Sequence, residues 1–153
     1  MTTDTDTFHF TRAMPLSADR MWHLITDTTM RESWGAPGDH VLETITADMR
    51  VGGVERHRCG PADNPEFEVE TRWLHLDAPG NAVFTEQIEA GGMTVGASLV
   101  TFRIAEADAG STVTATVAVS SFVGPEMIAE FKAGWEGGLV NLEKLAKSEA
   151  ESA

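Results

Sequence analysis

From about residue 40 to residue 120 the apolar side chains recur at every second position, and clusters of glycine, proline and asparagine interrupt the run at short intervals. A period of two sends alternate side chains to opposite faces of a pleated strand, so the pattern predicts antiparallel strands joined by hairpins. Six strands are expected here, at 40–46, 54–59, 66–76, 82–89, 95–105 and 111–120, with breaks at Gly52-Gly53, Gly60-Pro61, Pro79-Gly80-Asn81, Gly91-Gly92 and Gly110. The clearest alternation sets Phe67, Val69, Thr71 and Trp73 against Glu66, Glu68, Glu70 and Arg72, one buried face and one wet face. Beyond it the phase slips, because Leu74 and Leu76 are apolar and His75 is not, and a bulge near Trp73 or Leu74 accounts for the slip.

The period changes on both sides of this run. Residues 8–14 read as a further strand, ended by Pro15, and Ser17 then supplies an N-cap for a helix whose Ala18, Met21, Trp22 and Ile25 form one apolar stripe. Asp27 caps a second short helix carrying Met30 and Trp34, which stops at Gly35-Ala36-Pro37-Gly38. After Gly124-Pro125, residues 126–147 regain helical period with Ile128, Phe131, Trp135, Leu142 and Leu145 on one stripe. Such a helix is roughly 30 Å long, enough to cross a whole sheet. The tail from Ser148 to Ala153 is expected to fray. The predicted architecture is α+β: a single domain spanning 1–153, core about 8–147, with a seven-stranded curved antiparallel sheet wrapped around a long C-terminal helix and two short helices after the first strand.

Charge and cysteine usage narrow the class of function. With 24 acidic and 11 basic side chains the formal net charge is -13, which opposes binding to phosphate backbones or anionic lipid, so neither nucleic acid nor a membrane is an expected partner. The one cysteine, Cys59, cannot form an internal disulfide, and residues 1–7 lack the cationic start and apolar run of a signal peptide. A cytoplasmic location is therefore expected, as a monomer or a homodimer.

Specific residues carry a resemblance to a known superfamily. They are Pro15 with Ala18-Asp19-Arg20-Met21-Trp22 and Thr26-Asp27, the Trp34-Gly35 helix end, Arg50-Val51-Gly52-Gly53, Pro79 with Val83-Phe84-Thr85, Gly110-Ser111-Thr112-Val113-Thr114, and Gly134-Trp135-Glu136-Gly137-Gly138-Leu139 with Leu142 and Leu145. In these the chain resembles the helix-grip proteins of the START and Bet v 1 type (the SRPBCC superfamily), and within them the Aha1-domain branch named for a co-chaperone that activates the Hsp90 ATPase. All are turn and packing residues, so the resemblance implies a fold and says little of function. It also implies an apolar cavity between sheet and long helix. The superfamily includes lipid and hormone carriers, polyketide aromatases and cyclases, resistance proteins that bind a toxic metabolite, and chaperone regulators.

A few residues promise chemistry inside such a cavity. Glu86 lies between Phe84 and Ile88 at period two, so a strand turning those groups inward turns a carboxylate inward too. It is then a cavity acid or base, or an anchor for a ligand's polar end, unless an open strand end lets it reach water. On strand 54–59, Glu55, His57 and Cys59 share one face while Val54, Arg56 and Arg58 share the other. The first set is the expected inward face, because arginines are seldom buried without partners, and an adjacent carboxylate would hold His57 charged. Arg56 and Arg58 are then free to meet Glu68 and Glu70 across strands, although an edge strand of mixed exposure fits the same pattern. Trp73, Phe131 and Trp135, with Met93 and Met127, are the expected apolar lining.

Glycines at 134, 137 and 138 each cost about 1 kcal/mol against alanine in a helix. Close packing on the sheet or space over the cavity would explain them. No metal-ligand spacing, phosphate loop or serine elbow occurs, so neither a metal nor a cofactor is expected, and Cys59 lacks the base and orienter of a nucleophile. The absence of tyrosine weighs against some cyclase chemistries. The leading expectation is binding of a small hydrophobic or aromatic molecule by Glu55, His57, Trp73, Phe84, Glu86, Phe131 and Trp135. An enzyme using Glu86 and His57 for cyclisation, dehydration or hydrolysis, and an Hsp90-type chaperone regulator, are the alternatives.

Overall fold

The computed structural model describes residues 3–152. Seven strands form one antiparallel sheet: β1 (Asp4–Met14), β2 (Val41–Thr46), β3 (Val54–Gly60), β4 (Phe67–Asp77), β5 (Asn81–Ala90), β6 (Met93–Ala107) and β7 (Gly110–Ser121). Their order is β1-β7-β6-β5-β4-β3-β2, so β2 to β7 form a continuous meander and β1 returns to pair with β7. Helices α1 (Ala18–Thr26) and α2 (Thr28–Trp34) fill the crossover between β1 and β2, and α3 (Pro125–Glu151) follows β7. The α+β helix-grip architecture read from the sequence is the architecture observed.

Local chemistry explains where the elements begin and bend. Ser17 Oγ accepts from Arg20 N at the start of α1, and Asp27 Oδ1 accepts from Met30 N at the start of α2, each satisfying one backbone donor that the first helical turn leaves free. The pairing of β4 with β5 shifts between Trp73 and His75, which places the bulge at Leu74. That extra residue leaves Trp73 fully buried and Leu74 44% exposed. Gly110 turns β6 into β7 at a φ of 147°, where its missing Cβ also allows the backbone of Met14 and Pro15 to lie against it.

Strand register lays the inner face out in transverse rows. Trp73, Phe84, Val100 and Val117 stand opposite one another on β4 to β7, an apolar row. One step along the same face lie Glu55, Thr71, Glu86 and Ser98 on β3 to β6, a polar row. Beyond it comes the row His57, Val69, Ile88 and Gly96. Arg56, on the outer face, pairs with Glu70 at 3.1 Å and Glu68 at 3.9 Å, as the alternation predicts.

Helix α3 packs over only part of this face. It contacts β1, β7, α1 and α2, and its later half buries Leu139, Leu142 and Ala146 among Met21, Phe102 and Val113. Arg12 Nε donates to Glu143 Oε1 at 2.9 Å, tying β1 to that half. The helix runs to Glu151, past the point where fraying is expected from Ser148 onward; Ala150 still packs against the core. Ala153 lies outside the described residues. No described helix is long and apolar enough to cross a membrane.

Candidate functional site

The earlier half of α3, carrying Met127, Phe131, Gly134 and Trp135, rests on β6 through Phe131 at Gly96 and Trp135 at Phe102, and leaves space over the rest of the inner face. A cavity of about 490 Å³ lies between it and the inner faces of β3 to β6, closed at one end by α2 and the segment after it. Glycines shape this space in two opposite ways. A Cβ on Gly134 would meet nothing within 4 Å, so this glycine leaves room over the cavity. A Cβ on Gly137 would stand 2.5 Å from Pro37 Cβ, so this glycine allows α3 to approach the segment after α2, while one on Gly138 would make an ordinary contact at 3.4 Å from Trp34 O. The close approach expected against the sheet is thus made against the 34–38 segment instead. Asn141 Nδ2 reinforces it by donating to Ala36 O at 2.7 Å.

Apolar walls dominate. Trp34, Phe84, Ile88, Phe102, Phe131 and Trp135 present rings and aliphatic surface to the cavity. Phe131 sits over Gly96, where a Cβ would come within 2.6 Å of its ring. Exposed His40, Glu66 and Glu130 mark the mouth.

The sequence-predicted residues divide. His57, Phe84, Glu86, Phe131 and Trp135 line the cavity, and so does Cys59. Glu55 and Trp73 do not: both are 0% exposed and lie behind the wall, Trp73 packed on Phe84 with ring centroids 5.1 Å apart. Met93 is 56% exposed on the far side of its hairpin, while Met127 joins the lining.

At the inner end of the cavity stands a lining residue that sequence reasoning passed over. Arg31 of α2 is buried, and its Nη1 donates to Glu55 Oε1 at 2.9 Å. Glu55 Oε2 accepts from Asp48 N at 3.0 Å, so both carboxylate oxygens are occupied. The guanidinium also lies 5.2 Å from the Trp73 ring centroid and 5.7 Å from that of Phe84. Burial pulls its pKa below the usual value while Glu55 and Glu86 push it back up. The stripe of Met30 and Trp34 drew attention to the apolar residues of α2. The signal for Arg31 was the demand that two inward carboxylates make for a cation.

Glu86 receives no such partner. It enters none of the side-chain ion pairs among the described residues, and its half-buried side chain lines the cavity. Burial raises its pKa, opposed by the nearby charge of Arg31. His57, 1% exposed, goes the other way: burial and then the Arg31 charge lower its pKa to about 4. The expectation that an adjacent carboxylate would hold His57 charged is therefore reversed. Glu55, two residues away, is committed to Arg31 and Asp48, and the imidazole stays neutral. Burial likewise pushes the Cys59 thiol up to about 11. Among the described residues no cluster of His, Cys, Asp and Glu is arranged to hold a metal ion.

Comparison with known proteins gives a consistent frame. A family model described as activator of Hsp90 ATPase homolog 1-like protein matches residues 15–147. Among solved structures, a protein from Rhizobium loti superposes with a TM-score of 0.82 at 26% identity, covering 94% of this chain and 99% of that one. An uncharacterised protein from Rhizobium leguminosarum gives a TM-score of 0.82 at 19% identity, covering 96% and 97%. A protein from Silicibacter pomeroyi described as AHSA1 gives 0.76 at 15% identity, covering 94% and 99%. No curated protein sequence matches the chain.

Proposed function

The chain belongs to the activator of Hsp90 ATPase homolog 1-like family, and from that premise we propose that it binds a small hydrophobic or aromatic molecule between the sheet and α3. The observation that carries this reading is the cavity of about 490 Å³, walled by aromatic and aliphatic groups with a few convergent polar ones. A helix interior with a glycine facing open space at Gly134 supports it further, since alanine there would favour the helix by about 1 kcal/mol. Native mass spectrometry of freshly purified protein tests it. A stoichiometric adduct that disappears under denaturing conditions is expected. A clean protein mass together with no saturable uptake of Nile red, a neutral apolar dye, overturns it.

A second reading draws on a different observation. Glu86, whose pKa burial raises, and His57, whose pKa is lowered to about 4, stand on one cavity wall, a carboxyl and an imidazole of the kind that proton transfer in a dehydration, cyclisation or hydrolysis would use. Turnover that Glu86→Gln abolishes while binding persists is its test. The chaperone-regulator reading rests on the family's description alone.

A further inference from the structure

The polar row across the cavity wall leaves hydrogen-bonding groups without partners. Thr71 stands directly opposite Glu86 across β4 and β5, so their Cβ atoms are neighbours about 5 Å apart. His57 lies diagonally across from Thr71, since His57 pairs with Val69 on the adjacent strand. Thr71 is 0% exposed and His57 1%, yet Thr71 Oγ1 and His57 Nε2 have no hydrogen-bond partner, and both residues face the cavity. A buried polar atom left without a partner is unfavourable, so two on adjacent strands of one cavity wall call for an occupant. With its proton on Nδ1, neutral His57 offers Nε2 as an acceptor; Thr71 Oγ1 accepts as well, and Glu86 when ionised is an acceptor only.

Charge points the same way. Arg31, the one arginine or lysine of the lining, is matched by Glu55, so Glu86 when ionised has no ion-pair partner on the wall. An anionic headgroup would add a second negative charge to that wall. A protonated amine would neutralise it, and the ammonium has three N–H donors for the three acceptors. The mouth carboxylates Glu66 and Glu130, the surrounding aromatic faces and the net charge of -13 favour the entry of a cation as well.

We propose that the cavity selects an apolar amine, bound as its ammonium form with the nitrogen held by Glu86, Thr71 Oγ1 and His57 Nε2 and the apolar body against Phe84, Phe131 and Trp135. This rests on the cavity-binding reading above and adds the chemical class of the ligand. Where Glu86 carries its proton before binding, ammonium entry expels that proton to solvent, so each ligand bound releases at most one. The groups facing Glu86 are Arg31 from α2, His57 and Cys59 from β3, Thr71 from β4 and Ser98 from β6, with Glu130 of α3 at the mouth.

Isothermal titration calorimetry with 4-phenylbutylamine, 4-phenylbutanol and 4-phenylbutanoate tests the proposal. The amine is expected to bind at least about tenfold more tightly than the alcohol, and the carboxylate more weakly than both. In Glu86→Gln the amine-to-alcohol ratio should collapse to within about twofold. Equal affinity for amine and alcohol, or preference for the carboxylate, overturns the amine proposal while Nile red uptake leaves the cavity reading standing. Failure of all three probes and of Nile red removes both.

Discussion

Arg31 Nη1 lies 2.9 Å from Glu55 Oε1, and this buried pair locks α2 to β3 at the cavity wall. The pair is buried, with Glu55 at 0% exposure and the guanidinium 5.2 Å and 5.7 Å from the ring centroids of Trp73 and Phe84. Removing one partner strands the other charge. Arg31→Met is therefore expected to cost about 3–5 kcal/mol in urea unfolding at pH 7. The double variant Arg31→Met with Glu55→Gln should recover more than half of that loss, because the amide still accepts from Asp48 N and no buried charge remains. A double variant as unstable as the single one would contradict the pairing.

His57 makes acid destabilising. Its folded pKa, lowered to about 4, lies below the ordinary 6.5, so between those values the unfolded chain binds a proton that the folded chain refuses. Stability from this group is whole above pH 6.5 and is lost as the pH falls towards 4. The loss is on the order of 2 kcal/mol, short of the full shift because an opening cavity admits screening water. The stability difference between the unmodified protein and His57→Gln, followed by urea unfolding from pH 7.5 to pH 4.5, should change with that sign. A difference independent of pH would remove His57 as its source.

Glu86 acts with the opposite sign. Its folded pKa is raised, so its contribution is fully present below the unfolded carboxyl value and declines as the pH rises through the folded one. Glu86→Gln, which keeps the shape and discards the charge, should be the more stable protein at pH 8, with the advantage shrinking towards pH 5. Thermal unfolding at both pH values checks it, and an advantage that grows on acidification would contradict the inward, unpaired placement.

Two glycines predict contrasting responses to one methyl group. At Gly96 an added Cβ meets the Phe131 ring at 2.6 Å and Ser120 O at 2.8 Å, and the backbone oxygen cannot move aside. Gly96→Ala should cost about 1–3 kcal/mol. At Gly134 the added Cβ meets nothing, so Gly134→Ala should gain about 1 kcal/mol of helix stability while narrowing the cavity. Urea unfolding, with Nile red affinity measured alongside, distinguishes the two.

Cys59 should be chemically quiet despite its place in the cavity wall. A thiol pushed up to about 11 holds about a hundredfold less thiolate at pH 8 than one at the ordinary value of 9.0. Alkylation by iodoacetamide should accordingly be far slower than that of free cysteine, and should approach its rate only once urea unfolds the chain. Rapid alkylation of the folded protein would place the thiol in a different environment.

Most of the fold was legible because its signals are local. Alternation in Phe67, Val69, Thr71 and Trp73 assigned a face to each side chain, the misphased Leu74 marked the bulge, and Ser17 and Asp27 marked helix starts through bonds to backbone three residues away. The inward phase of Glu55, His57 and Cys59 followed from the same alternation. Trp73 and Glu55 show where it stopped: facing inward is a property of the strand, whereas lining the cavity depends on what else occupies that face. Both are covered, Trp73 by its aromatic neighbours and Glu55 by Arg31.

By itself the sequence determined the order of elements, the faces of the strands and the caps of the short helices, since each depends on bonds and sterics within a few residues. Only the tertiary structure decided that Arg31 meets Glu55 from 24 positions away and leaves Glu86 without a partner. It also decided that α3 leans on β1, β7 and α2 and stands clear of the polar row. Those outcomes depend on how a helix crosses a curved sheet, and periodicity along the chain carries no information about that crossing.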